Sequence, residues 1–419
     1  MAVAGIAARA AAVALLSAVL DEGRMLDATT ALPPGLGPAE RARAMRLAAL
    51  TLRHLERCDA ILSPLLRKAP PHLVRHVLRL ATVEMAIDGA AAHGAVNAAV
   101  QIVRQTARAE PFAGLVNAVL RKVAALPQPF AGLPPQKLPQ WLRQPLVQAW
   151  GRPAVLAMEA VQASEPPLDL TPRPDAAIDL PDAVQLPTGS WRMRAGVQVS
   201  ALPGYDQGHW WVQDAAAALA AKVLAPVAGE RVIDLCAAPG GKTLQLAAAG
   251  AHVTAVDISG PRMQRVQDNL ARTGLMAEVV VADALHWQPP ALADAVLLDA
   301  PCTASGTIRR HPELPFVKDG SDLPALTGLQ AALIDCALGM VRPGGRLVFC
   351  TCSILPAEGE AQLAAALARH PDLRVEAVLP EGCDPAWQTA EGAMRLRPDH
   401  WSDRGGIDGF FIARLRRAG

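Results

Sequence analysis

Aromatic residues make up only 4% of this 419-residue chain, and Tyr205 is its one tyrosine. Proteins that hold single strands by stacking bases need many ring platforms, so a stacking-driven binder is a poor fit. The eight tryptophans read instead as packing residues. Net charge is also lacking: 40 Lys+Arg against 39 Asp+Glu leave +1, which by itself points to no polyanionic partner. The seven cysteines, Cys58, Cys236, Cys302, Cys336, Cys350, Cys352 and Cys383, are odd in number. They form no C-x-x-C pair and join no His cluster, so neither a disulfide framework nor a metal site is expected, and a reducing compartment is. No uninterrupted stretch reads as long and apolar enough to span a bilayer, and no internal repeat points to a solenoid. Residues 1–20 resemble a secretory signal only loosely. Arg9 interrupts the apolar run, and Val13, Leu16, Val19 and Leu20 keep helical spacing, which favours a first amphipathic helix. A cytoplasmic monomer without a membrane partner is the expectation.

What is present is a long, globular composition, 51% hydrophobic and 19% charged, enough for two or three domains. Charge is unevenly placed. Residues 1–130 hold 15 of the Lys+Arg and 9 of the Asp+Glu, against 25 and 30 in the remainder. A basic first third beside an acidic rest suggests where a nucleic acid could be gripped; ordinary solvated arginines on helices are the competing account.

Residues 1–127 read as all helical, with breaks at Pro33-Pro34-Gly35, Pro70-Pro71 and Gly89 and apolar 3.6-period runs over Ala39–Leu66 and Leu73–Met85. Asn97 and Asn117 sit inside further apolar helical patterns, where capping or packing hydrogen bonds account for them. The order of these segments, ending in Asn117-Ala-Val-Leu-Arg-Lys, resembles the NusB-like helical RNA-binding domain, which occurs alone or in front of certain RNA methyltransferases. Residues 139–165 read as helix, and from Pro166 the pattern turns to short strands: Leu168–Pro172, Asp182–Leu186 and Ser190–Arg194. From residue 211 the chain reads as alternating helices and strands. Strands are expected at Arg231–Cys236, His252–Asp257, Ala277–Ala282, Ala295–Leu298 and Arg346–Cys350, with a late strand at Gly409–Leu415. That alternation implies βαβ units and a mostly parallel sheet.

The stretch Val232-Ile-Asp-Leu-Cys-Ala-Ala-Pro-Gly-Gly-Lys-Thr243 organises this second half. It reads as a strand, a glycine loop and a helix from Leu244 onward, the geometry that cradles anionic or zwitterionic ligands. Asp257, sixteen residues past Gly241, ends the next strand and suits the two ribose hydroxyls of a nucleoside; Asp283 could read an adenine amino group. A nicotinamide dehydrogenase is the rival reading. Its G-x-G-x-x-G is absent, and Pro239 removes one backbone donor from the loop, which suits a sulfonium nucleoside better than a pyrophosphate.

Cys302 follows the fourth strand in Asp299-Ala-Pro-Cys, and Cys352 follows the fifth in Thr351-Cys-Ser353. A single cysteine near a strand end is more often a small buried hydrophobe. Two at adjacent carboxyl ends, facing a cofactor loop, reverse that reading. Three motifs in order, Asp234-Leu-Cys-Ala-Ala-Pro-Gly-Gly-Lys-Thr243, Asp299-Ala-Pro-Cys-Thr-Ala-Ser-Gly-Thr-Ile-Arg-Arg-His-Pro-Glu313 and Thr351-Cys-Ser-Ile-Leu-Pro356, resemble the RNA 5-methylcytosine methyltransferases. The resemblance covers essentially the whole chain and is closest to the bacterial small-subunit rRNA enzymes of the Sun/Fmu type.

The resemblance implies a multidomain chain: an all-α NusB-like RNA-binding domain over 1–130, a connecting helix and small α+β unit over 131–210, and a Rossmann-like class I methyltransferase domain over 211–419. It implies S-adenosyl-L-methionine as cofactor and RNA as partner, 16S rRNA or an assembly intermediate, methylated at cytosine C5. Cys352 would be the nucleophile, Cys302 would assist product release, and Asp299 would bond the ring edge or the cofactor. Cys236, Ala237, Ala238, Pro239, Gly240, Gly241 and Lys242 would hold the methionine part, Asp257 and Arg262 the ribose, and Asp283 the adenine. Arg309, Arg310 and His311 could touch phosphate, with loop solvation as the equal rival. Cys350 is expected to pack. Leu170-Thr-Pro-Arg173, in place of the family's Leu-Arg-Val-Asn, and Ala357-Glu-Gly-Glu360, in place of a Glu-Glu-Asn ending, leave the RNA target open. A tRNA substrate and a non-catalytic assembly factor are the alternatives.

Overall fold

The computed structural model describes residues 5–26, 32 and 35–419; the break expected at Pro33-Pro34 lies outside them. The chain divides into two compact units. One comprises Met1–Arg143, Val155–Glu165 and Ile308–Asp319, the other Gln144–Ala154, Pro166–Thr307 and Gly320–Gly419.

The first unit is helical. Its main helices are Ile6–Leu20, Pro38–Arg53, Leu55–Leu62, His72–Ala86, Ala92–Gln105 and Ala113–Ala124. The apolar run expected over Ala39–Leu66 is two helices, parted at His54, whose φ of −122° and ψ of 22° leave the helical region. Leu15, Leu16, Leu47, Leu52, Leu78 and Leu120 are almost fully buried in one core, each contributing roughly 2 kcal/mol of transfer free energy. The first helix is present, and it is buried on more sides than the amphipathic spacing alone predicts. Ala8, Ala11, Ala12, Leu15, Leu16, Ala18 and Val19 are all buried, as in a helix enclosed on most sides. Arg9, the charge that interrupts its apolar run, is buried with them. Its Nε donates to both oxygens of Glu84, at 2.9 and 2.8 Å, 75 residues further along the chain.

In the second unit, residues 166–212 form a small antiparallel sheet from β1 (Leu168–Pro172), β2 (Val184–Gln185), β3 (Trp191–Met193) and β4 (Trp210–Val212), in the order β2-β3-β1-β4. A buried bidentate pair, Arg192 with Asp169 at 2.7 and 2.8 Å, ties β3 to β1. Trp210 and Trp211 are 1% and 2% exposed, packing residues rather than base platforms.

The main sheet is built from β5 (Arg231–Leu235), β6 (His252–Asp257), β7 (Glu278–Val281), β8 (Ala293–Asp299), β9 (Val341–Thr351), β10 (Leu373–Val375), β11 (Met394–Leu396) and β12 (Phe410–Arg417). Its order is β10-β12-β9-β8-β5-β6-β7, with β11 on β12. From β9 to β7 the neighbours are parallel; β12 runs antiparallel to β9. Side chains alternate by the two-residue pleat. Val232, Leu297, Val348 and Cys350 join one apolar cluster, Ile233, Leu298, Leu347 and Phe349 another. The chain runs from β5 to one side and later from β8 to the other. The switch point therefore lies at the carboxyl ends of β5 and β8, where open α/β sheets bind ligands.

One expectation from the apolar runs needs correction. The helix Leu323–Met340 has 18 residues and a mean hydropathy of 1.4, enough by length and composition to cross a membrane. Leu333, Ile334, Ala337, Leu338 and Met340 are buried in the cluster of β5, β8 and β9 residues, so one face of this helix packs on the sheet, with 33% of it buried.

Candidate active site

At the carboxyl end of β5 the chain turns sharply. Cys236 has a φ of 59°, a left-handed conformation that costs a non-glycine residue roughly 1–2 kcal/mol. Gly240 takes φ 104° and donates to the Ala237 carbonyl at 2.8 Å. A Cβ there would also stand 3.2 Å from Val266, so glycine serves both conformation and space. The helix Gly241–Ala248 opens directly behind it, three residues earlier than the expected Leu244. Thr243 donates its hydroxyl to Asp234 Oδ2 at 2.6 Å, locking the helix start to β5. Asp234 is fully buried, and burial pushes its carboxyl up to about 7.

Asp257, at the end of β6 and 4% exposed, accepts the Ala238 N–H at 3.2 Å and the Ser259 N–H at 2.9 Å. It braces the loop as well as facing the strand ends. The Arg262 guanidinium donates to the Ala238 carbonyl at 2.5 Å and lies 3.8 Å from Asp257. Asp283 stands beyond β7, more exposed, held below the usual carboxylate range by the Leu285 N–H and by His286. Ile258, between Asp257 and the next helix, is 71% exposed; a lone apolar residue after an acidic one carries no distinctive pattern in sequence.

Lys242 and Asp299 close the floor between β5 and β8. The Lys242 ammonium donates to Asp299 Oδ2 at 2.7 Å, and Cys350 Sγ lies 3.5 Å from Oδ1. Burial opposes the ammonium, yet the Asp299 carboxylate raises Lys242 overall. Cys350 is fully buried, a packing residue as expected, but one that touches the central carboxylate. Its thiol is pushed well above its usual range by burial and then by Asp299.

The two other cysteines meet. Cys302 Sγ and Cys352 Sγ are 3.4 Å apart, past the ends of the adjacent strands β8 and β9. The loops carrying them are laced together: Ala300 N–H donates to Cys350 O at 3.0 Å, and Gly306 N–H to Cys352 O at 2.9 Å. A Cβ on Gly306 would lie 2.0 Å from the Gly409 carbonyl, so that crossing requires glycine. The Cys302 thiol is raised well above its usual value by its contact with Cys352, by burial and by the charge of Glu358.

Glu358 itself carries no signal in the motifs above. It is fully buried beneath both cysteine loops and bonds Thr303 and Gln330. Arg395, another residue the motifs do not mark, donates to the Ser353 carbonyl at 2.5 Å while paired with Glu360. Arg309 departs from its expectation. Ile308–Asp319 belongs to the helical unit, and Arg309 is fully buried there, out of reach of phosphate; Arg310 and His311 are exposed.

These residues fit a sulfonium nucleoside. Glycines at 240 and 241 leave two successive loop positions without side chains, since a Cβ at either would crowd Val266 or Gln213 at 3.2 Å. Two carboxylates, Asp257 and Asp283, stand at the ends of the next two strands, where hydroxyl and amino donors of a nucleoside would find acceptors.

Residues 221–416 match the family model described as 16S rRNA methyltransferase RsmB/F, and residues 6–125 match the NusB family. A Ribosomal RNA small subunit methyltransferase B from Sodalis glossinidius is 35% identical, covering 98% of this chain and 96% of its own. One of the same name from Xanthomonas campestris is 34% identical, over 100% and 98%. Among solved structures, PH0851 shares the fold with a TM-score of 0.75 at 24% identity, over 98% of this chain and 99% of that one. NSun6 from Pyrococcus horikoshii, solved with SFG, shares it at 0.57 and 19%, over 67% and 98%. On the full-length match with these relatives and the paired family models, the chain belongs to the 16S rRNA methyltransferase RsmB/F family, with a NusB-family segment in front.

Proposed function

We propose that the protein methylates C5 of a cytosine in small-subunit rRNA through a covalent bond from Cys352 to C6 of the ring. The observation that carries this reading is the pair of thiols 3.4 Å apart beyond β8 and β9, beside the Lys242–Asp299 pair at the carboxyl ends of the same central strands. Small-subunit rRNA is the substrate in the names of the relatives that match the whole chain.

S-adenosylmethionine, the cofactor of this family, supplies an electrophilic methyl group when bound. The loop Cys236–Lys242 would hold its methionine part, Asp257 and Arg262 its ribose, and Asp283 its adenine. C5 of cytosine is a poor nucleophile until a thiolate adds at C6 and turns the ring into an enamine. Cys352 makes that addition. Asp299, held by Lys242, hydrogen-bonds the ring edge and favours the charge that develops there. Once C5 is methylated a solvent base takes its proton, the freed electron pair reforms the C5–C6 double bond, and the Cys352 thiolate is expelled. Cys302 assists that release. Attack at C6 needs the ring face open, so the target base is unstacked. Residues 1–130 grip RNA, 131–210 connect, and 211–419 carry the chemistry in a cytoplasmic monomer.

The test is methyl transfer to unmodified total RNA. Cys352→Ala should abolish turnover and leave no covalent protein–RNA species, whereas Cys302→Ala should accumulate one. Undiminished turnover in Cys352→Ala would sink the nucleophile assignment.

A further inference from the structure

Beneath the two thiols Glu358 is a fully buried carboxylate in direct contact with the Cys302 loop. Its Oε1 accepts the Thr303 N–H at 2.9 Å and the Gln330 amide at 3.0 Å; its Oε2 accepts the Thr303 hydroxyl at 2.5 Å. Thr303 directly follows Cys302. The main-chain carbonyl of Glu358 accepts the Thr351 hydroxyl at 3.0 Å, and Thr351 directly precedes Cys352. Around this carboxylate, Ser305 and Ser353 meet hydroxyl to hydroxyl at 3.0 Å, and the Ile354 N–H donates to Ser305 Oγ at 3.1 Å.

A buried carboxylate that accepts three hydrogen bonds fixes its donors firmly, because each is charge-assisted and water cannot substitute. Two of the three come from Thr303 in the Cys302 loop, and the third from Gln330, a helix residue whose amide also donates to the Pro301 carbonyl at 2.9 Å, while the backbone of the same glutamate is anchored on the Cys352 side. We propose that Glu358 is a positioning residue that clamps the Cys302 loop to the Cys352 loop and so sets the separation of the two thiols. The inference rests on the paired-thiol reading above but is tested apart from it. Removing the carboxylate frees Thr303 and lets Cys302 drift, while Cys352 keeps its strand and its backbone bonds. Addition at C6 then survives and release suffers.

The experiment uses the full-length protein as Glu358→Ala, Glu358→Gln and Thr303→Val. The first readout needs neither RNA nor cofactor: the rate at which diamide joins Cys302 to Cys352. In that step the two thiols give up two hydrogens, a disulfide forms, and the diazene becomes a hydrazine. Contact between the sulfurs makes this fast in the parent protein. Glu358→Ala should slow it by about tenfold or more, Thr303→Val by less, and Glu358→Gln, which keeps shape and one acceptor, should restore most of it. The second readout is the covalent RNA species, which should accumulate in Glu358→Ala as in Cys302→Ala, with cofactor affinity unchanged. Parent-like disulfide rates in both Glu358→Ala and Thr303→Val overturn the clamp. If Glu358→Ala does not fold, Thr303→Val decides alone, since it removes one hydroxyl at nearly constant volume. A Cys302→Ala protein that traps no RNA defeats the release role instead, and leaves the disulfide rate to judge Glu358.

Discussion

Buried charge is used differently in the two halves of this molecule. In the helical unit it is held in local ion pairs: Arg9 with Glu84, which Arg43 also approaches at 3.7 Å, and Arg79 with Asp59 at 2.6 and 2.8 Å. In the sheet unit it converges. Lys242, Asp299 and Cys350 lie within one chain of contacts at the ends of β5, β8 and β9, and Asp234 bonds Thr243, the residue after Lys242, with Cys302 and Cys352 beyond. Local pairs satisfy each other and specify a fold. Convergent groups with perturbed protonation, placed at a sheet switch point, are arranged for something else to arrive.

The strongest way to break this comparison is in the helical unit. Glu84→Gln keeps the shape but leaves the Arg9 guanidinium buried against a neutral amide. It should cost about 3–5 kcal/mol of stability, read as a lower urea midpoint. Methyl transfer per folded molecule should stay at the parent level; a loss of chemistry matching the loss of stability would erase the distinction between the halves. Lys242→Met probes the other side. Removing the ammonium leaves Asp299 without its cation, and turnover should fall by roughly a hundredfold, about 2.7 kcal/mol, while the protein stays folded. A parent-like rate would reduce the Lys242–Asp299 pair to architecture.

The same contrast explains what the sequence made legible. The parallel strands, the loop after β5 and the two cysteines are local patterns: apolar runs of fixed length, a glycine pair, a thiol a few residues past a strand. Sheet order then brings Cys302 and Cys352 together, because strands that are neighbours in the sheet place their ends side by side. Glu358 was visible only as part of Ala357-Glu-Gly-Glu360, a departure from a familiar ending, since nothing local says that it folds under Thr303. Arg9 looked like a defect in a signal-like run, and its meaning lies with a carboxylate 75 residues away. Arg309 failed for the same reason: a basic loop residue reads as exposed until tertiary packing covers it. Leu323–Met340 is apolar because it lies on a sheet, and its composition alone cannot separate that from a membrane.

The smallest predicted effect concerns pH, where the halves should pull in opposite directions. His54 in the helical unit is 3% exposed, and burial, then Arg57 and Arg53, lowers it to about 4 from 6.5. The unfolded chain therefore binds more protons between these values, and this group's contribution is intact above pH 6.5 and lost as pH falls toward 4. Asp234 in the sheet unit is raised to about 7 from 3.8 by burial. There the folded chain binds more protons, and the contribution is intact below pH 3.8 and lost as pH rises through 7. Each slope amounts to about 1 kcal/mol per pH unit inside its own window. Urea midpoints of the full-length protein between pH 5 and 8 would measure both. Between pH 5 and 6.5 the two slopes oppose each other, so His54→Gln should leave stability falling as pH rises there and Asp234→Asn should leave it rising. If either substitution left its slope in place, the buried group it removes would not be the source of that pH dependence.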